Sequence, residues 1–212
     1  LFDQREVELI RSECKTLLSA GFGPDYLSSV REQMMPGQAP ASPFVGGMLE
    51  DPRFADLAFA HLGDDALGAQ AYVTRFKGNT EWHRGPMESE EGIKFLVYLD
   101  PLLANTGALR VLPRSHEWTL TEKQQAQLKK DADKVVAPAL ETVPGDVIVF
   151  DLRLWHATFG GGPFRQTAQF VFFQPPKTEE ALRRFARDFH QRDSQYARYG
   201  LDVPALHPDW LA

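Results

Sequence analysis

Cysteine is almost missing from this chain. Cys14 stands alone, so no internal disulfide can form and a reducing compartment is expected. Long apolar runs are missing too: no stretch approaches the ~20 residues a membrane helix needs, and no signal-peptide pattern opens the sequence. A cytoplasmic protein without a membrane partner is therefore expected. The sequence starts on Leu1 rather than methionine, and a few residues are expected to precede it. Positive charge is not in excess. The net charge of -6 argues against a nucleic-acid polymer as partner and leaves room only for a local basic pocket. Internal repeats and low-complexity tracts are absent as well. What remains is 212 residues, 43% hydrophobic and 25% charged, enough for a single domain with a real core. Oligomeric state is not legible.

Apolar residues Val7, Ile10, Cys14, Leu17 and Leu18 recur at helical spacing between Asp3 and Ala20, and Gly21 ends the run. Met34 to Gly47 is rich in Pro and Gly and reads as an irregular loop, long enough for a lid. Asp51 to Gly63 reads as a second helix, with Pro52 at its start and Gly63 at its stop. The pattern then changes. Ala69–Lys77, Ile93–Asp100, Ala108–Pro113, Asp146–Asp151 and Gln166–Gln174 are rich in β-branched and aromatic residues and read as strands. A polar helical insert covers about Thr121 to Lys130, and a basic helix about Thr178 to Tyr199. Short strands without βαβ alternation, flanked by helices, predict a mainly β jelly roll. Its core spans about 69–174, N-terminal helices occupy 1–68, and a C-terminal helix and tail fill 175–212.

Two of the six histidines stand out by their surroundings. His83 follows the first strand in "EWHRG", and His156 follows "PGDVIVFDLRLWHA". A jelly roll brings such strand ends together, and imidazoles at one point suit iron, copper, nickel or zinc. Arg165 opens the next strand, where a cation would face the same cavity. Residues alone leave a bland alternative open, in which both histidines cap strands and Arg165 pairs with a surface acid. His61, His190 and His207 have no companion ligands and read as surface or structural residues.

The order of the pieces carries more. "WH" after a strand, then "NTGALRVLPRSHEW", then "PGDVIVFDLRLWHATFGGGPFR" resembles the phytanoyl-CoA dioxygenase-like branch of the iron(II)/2-oxoglutarate oxygenases. The linking stretch has Arg114 where that family usually has glycine. The resemblance implies a double-stranded β-helix, with His83 and His156 holding Fe(II) and dioxygen as co-substrate. It also implies that Arg165 holds the distal carboxylate of 2-oxoglutarate, where a guanidinium fork fits, assisted by Thr158. His116, in the linking motif, is read as structural.

The family's H-x-D aspartate is the third ligand of its two-histidine, one-carboxylate triad. Here the motif reads His83-Arg84-Gly85, and glycine offers no ligand. Glycine or alanine at this position is the pattern of the non-haem iron halogenases, which the sequence resembles here. That resemblance implies chloride beside Gly85, with Arg84 as a candidate for added charge. A second reading has Glu88, Glu90 or Glu91 reach back and restore a hydroxylase. A third is an inactive binder. The leading reading is a halogenase acting on a free small molecule, with a nucleotide or nucleoside ahead of a free amino acid. Tyr72, Arg75, Lys77, Lys94 and Arg110, with Trp82 and Phe95 nearby, are the candidate strand residues for an anionic, partly flat substrate.

Overall fold

A computed structural model describes residues 1–20, 42–85, 91–162 and 165–185, together with the backbone of 31–36. Helix α1 (Gln4–Ala20) buries Val7, Ile10, Cys14, Leu17 and Leu18 along one stripe, as their spacing requires. Strand β1 (Arg31–Pro36) and the short α2 (Pro43–Gly47) follow. Both fall in or beside the segment expected to be an irregular loop. β1 forms because β2 offers it an edge to pair with, a tertiary cause that a Pro-rich segment does not announce. In α3 (Pro52–Leu62) the Asp51 carboxylate caps the Arg53 N–H, and Gly63 ends the helix at φ 107.

The strands are β2 (Leu67–Phe76), β3 (Thr80–His83), β4 (Gly92–Tyr98), β5 (Leu109–Val111), β6 (Ala139–Leu140), β7 (Ile148–Asp151), β8 (His156–Thr158) and β9 (Arg165–Phe173). Helix α4 (Glu122–Lys130) sits between β5 and β6. It opens on a capping box in which Thr121 and Gln124 satisfy each other's backbone N–H groups. All pairings are antiparallel, in a five-stranded sheet ordered β1-β2-β9-β4-β7 and a four-stranded sheet ordered β3-β8-β5-β6. From β2 onward the chain passes back and forth between the two sheets, which makes the jelly roll a double-stranded β-helix. β3, β6 and β8 were not foreseen as strands. Each is short, and each depends on a partner from elsewhere in the sequence.

The larger sheet has two unlike faces. One face, with Val73, Phe95, Val97, Phe170 and Phe172, packs on α1 and α3 in the main core. Phe54 lies at its centre, 5.0 Å from the Phe95 ring and 5.3 Å from Phe170. The other face looks toward the smaller sheet across a cavity. The expected C-terminal helix begins at 179 and runs to the last described residue, 185; its continuation, with Arg187, His190, Arg192, Arg198 and the tail, lies outside the described residues. Among the described residues no helix is long and apolar enough to cross a membrane.

Candidate metal and co-substrate site

β3 and β8 pair so that His83 and His156 are direct cross-strand partners. Side chains of such partners leave the sheet on the same face, and the two imidazole centroids are 4.2 Å apart. The Nδ1–H of His83 donates to the Glu81 carbonyl and that of His156 to the Leu154 carbonyl, each at 2.8 Å. A carbonyl only accepts, so each Nδ1 carries a proton, the arrangement that reserves Nε2 for a metal. Burial first, then the His83 and Lys94 charges, holds His156 well below the usual histidine range. It is neutral and able to ligate. Two imidazoles side by side, each with Nδ1 turned to a carbonyl, present Nε2 for a borderline metal such as iron. Among the described residues no third His, Cys, Asp or Glu completes a metal-binding group.

Gly85 is buried. Its N–H donates to the Leu152 carbonyl at 2.9 Å. A Cβ at this position would lie 3.1 Å from that oxygen and 3.2 Å from Leu152 Cβ and Cδ2. Leu152 is thus packed against a residue without a side chain, and an aspartate here requires Leu152 to yield. Of the acids expected as substitutes, Glu88 and Glu90 lie outside the described residues. Glu91 pairs with Arg153 at 2.9 Å and is half exposed, so it is engaged elsewhere.

Arg165, 3% exposed, stands at the opening of β9 on the cavity side. Three turns enclose its guanidinium. Nη1–H donates to the Gly107 carbonyl at 3.1 Å, and Nη2–H to the Gly78 carbonyl at 2.7 Å. A Cβ at Gly107 or Gly161 would overlap Nη1. Gly107 of "NTG" and Gly161 of "GGG" are therefore required by close approach to this side chain. Those carbonyls engage two of the five N–H donors of an arginine, and the buried Nε–H has no partner among the described residues. Thr158 Oγ1 accepts from the Thr80 N–H at 3.1 Å, which leaves its own proton to donate within the cavity.

Sequence reasoning missed a row of buried polar groups on the same face. The Gln169 amide donates to Thr74 Oγ1 at 3.2 Å and to Thr167 Oγ1 at 2.8 Å. Both threonine hydroxyls accept, so each has a proton to donate onward. Burial pushes the nearby Tyr98 hydroxyl up to about 12, so it stays protonated. The available signal was the two-residue period of "QTAQF" and "YVT", polar on one face within an apolar run.

The substrate-contact candidates divide. Tyr72 and Lys94 line the cavity, together with Leu96, Phe150 and Leu109, around a space of about 640 Å³ counted to its open mouth. Arg75 does not line it. It shares strand parity with Ala71 and Val73, on the helix side of β2, and Lys77 lies past the strand end. Phe95 likewise belongs to the main core. Trp82 is 0% exposed and lies behind β3 in a cluster with Leu112, Ala137 and Trp155, because it alternates with His83. Arg110 donates to the Ala137 and Ala104 carbonyls.

Arg84 also points away from the imidazoles. Its Nη2 donates to the Ser115 carbonyl at 2.6 Å and the Trp118 carbonyl at 2.7 Å, and its guanidinium lies 5.5 Å from the Trp155 ring. Ser115 Oγ in turn accepts from the Trp155 N–H at 2.8 Å. The linking motif is therefore a strap that ties the two histidine motifs together through Arg84 and Ser115. Arg114 holds φ 60 there, the one positive φ outside glycine among the described residues, which explains a glycine preference at this position. His116 sits beside Glu117, Nε2 to Oε1 3.7 Å, away from the cavity.

The profile of the phytanoyl-CoA dioxygenase (PhyH) family matches residues 1–165. The chain belongs to this family. PhyH membership places it among the Fe(II)/2-oxoglutarate-dependent oxygenases, which agrees with the sheet topology and the paired imidazoles. No curated protein sequence gives a significant match. Solved structures similar to this PhyH chain include HygX from Streptomyces hygroscopicus with nickel and 2-oxoglutarate bound. It is 19% identical over 84% of this chain and 81% of its own, with a TM-score of 0.66. EctD from S. alaskensis, with 2-oxoglutarate and 5-hydroxyectoine, is 25% identical over 82% of this chain and 69% of its own, TM-score 0.64. The non-heme alpha ketoglutarate dependent epimerase SnoN from nogalamycin biosynthesis is 16% identical over 85% and 80%, TM-score 0.66.

Proposed function

We propose that this PhyH protein is an Fe(II)/2-oxoglutarate-dependent halogenase that places chloride on an unactivated C–H carbon of a free small molecule, with a nucleotide or nucleoside as first candidate. His83 and His156 hold the iron through Nε2. Arg165 holds the distal carboxylate of 2-oxoglutarate through donors not engaged by Gly78 and Gly107, and the hydroxyls of Thr158, Thr74 and Thr167 supply further hydrogen bonds. Iron with 2-oxoglutarate and dioxygen supplies the oxidising power to remove a hydrogen atom from carbon and to deliver a ligand in its place. The protein's part is positioning. Cross-strand pairing fixes the imidazoles, and the strap through Arg84 and Ser115 keeps both histidine motifs in register. Substrate placement decides which ligand reaches the carbon, since misplacement by about an ångström has large effects on rate.

The observation that carries this reading is Gly85, buried two residues past His83, where the family's third ligand is a carboxylate. Without it, a divalent ion held by two imidazoles lacks the anion that the family's carboxylate contributes, and a halide supplies one. Anaerobic addition of chloride to the Fe(II)- and 2-oxoglutarate-loaded protein should shift its visible absorption, and turnover in bromide should give brominated product by mass. Gly85→Ala and Gly85→Asp together separate crowding from chemistry. Both press a Cβ on Leu152, and only the aspartate should abolish the chloride response; a response that survives in Gly85→Asp rejects the halide site.

Hydroxylation is the second reading, favoured by EctD, whose structure carries 5-hydroxyectoine. It is distinguished by an oxygen-bearing product and indifference to chloride. An inactive binder would give neither product. A cytoplasmic setting, a single domain and no polymeric nucleic-acid or membrane partner complete the proposal.

A further inference from the structure

We infer that Lys94 is an anion-recognition point at the substrate end of the cavity, so that the accepted molecule carries a carboxylate or phosphate; this rests on the cavity being the chamber of an Fe(II)/2-oxoglutarate enzyme. Strand register separates two cationic ends of one chamber. Arg165 pairs with Phe76 at one end of β9, whereas Lys94 stands level with Val171. That is six residues further along the same strand, roughly 20 Å of backbone. The imidazoles stand toward the Lys94 end. The His156 ring is 4.9 Å from that of Phe150, and Phe150 is the β7 register partner of Lys94. A five-carbon dicarboxylate held by Arg165 and running toward the imidazoles is too short to span that length, and it leaves Lys94 to meet the substrate.

The charge at that end is otherwise unanswered. Arg53 is neutralised by Glu6 and Asp51, and Arg153 by Asp151 and Glu91. Arg84 and Arg110 are capped by carbonyls. Lys94, half-buried on the cavity face, forms no ion pair among the described residues, and its ammonium stands 5.7 Å from the centroid of the Tyr72 ring. A cation withdrawn from solvent against apolar walls is costly unless an anion meets it. The Tyr72 face beside it offers a flat group a place to lie. A ligand with an anionic end satisfies Lys94, and only the anion is required by the charge.

The test uses Ni(II)- and 2-oxoglutarate-loaded protein in a calorimeter, with phenyl phosphate and its neutral counterpart phenol as probes. Phenyl phosphate should bind about tenfold or more tightly than phenol, the scale of one charge-assisted hydrogen bond. Lys94→Met should erase that preference and Lys94→Arg should retain part of it. Affinity for 2-oxoglutarate should stay unchanged in both variants, which also shows that they are folded. Equal binding of the two probes, no binding of phenyl phosphate, or a preference that persists in Lys94→Met overturns the inference. Displacement of phenyl phosphate by chloride that depends on Lys94 also overturns it, because the residue would then hold the halide. Failure of the reading beneath it looks different: wild-type protein would take up neither Ni(II) nor 2-oxoglutarate.

Discussion

The two faces of the five-stranded sheet are built from the same strands and answer to different demands. On β9, Ala168, Phe170 and Phe172 enter a dry core, while Arg165 and Gln169 line the cavity, with Thr167 on the same face bonded to Gln169. Both sets are buried. One face is buried by protein and holds the fold together; the other is buried by a chamber and holds polar groups whose remaining hydrogen-bonding capacity points inward. Burial alone therefore does not distinguish structure from function here, whereas strand parity does.

The sharpest way to break that contrast is Phe170→Ala, on the dry face. It should cost about 3–5 kcal/mol in denaturant-measured stability while the protein that remains folded binds 2-oxoglutarate as before. Weakened co-substrate affinity would mean that the faces are coupled. Next in size is a pH effect on the cavity side. His156 is held neutral when folded, so below about pH 6.5 the unfolded chain takes up a proton that the folded chain refuses. Stability of the metal-free protein should then fall as pH drops from that value, by up to ~1.4 kcal/mol per pH unit, and His156→Gln should flatten the slope. Gln169→Leu should cost about 1 kcal/mol and visibly weaken 2-oxoglutarate binding, the inverse of Phe170→Ala. Away from both faces, Arg114→Gly relieves a left-handed backbone and should raise stability by about 0.5–1 kcal/mol, with ligand binding untouched.

Much of this architecture was legible in advance, for local reasons. α1 announces itself through apolar spacing, α3 through Asp51, Pro52 and Gly63, and the longer strands through β-branched and aromatic runs. The two histidines were legible through their order around the linking motif. Substrate-contact residues were much less so. Arg75 and Trp82 were read as cavity residues although each sits one step out of phase with those that are. A composition argument for a cation beside an aromatic ring carries no face label until the strand register is known. Arg84, which the sequence left open between adding charge beside Gly85 and pointing away, points away, since its carbonyl partners Ser115 and Trp118 are some thirty residues distant in the chain.

The amino-acid order by itself determined that two imidazoles and an arginine would recur in the pattern of the PhyH family, and that the residue two past His83 would bring no carboxylate. These are statements about which side chains exist. Only the tertiary structure decided what each one meets. It sent Arg84 to the strap and Trp82 to the core, threaded Arg165 past Gly107 and Gly161, and left Lys94 facing the cavity. The physical reason is that an antiparallel sheet assigns faces by register, and register is set by pairing between strands distant in the chain.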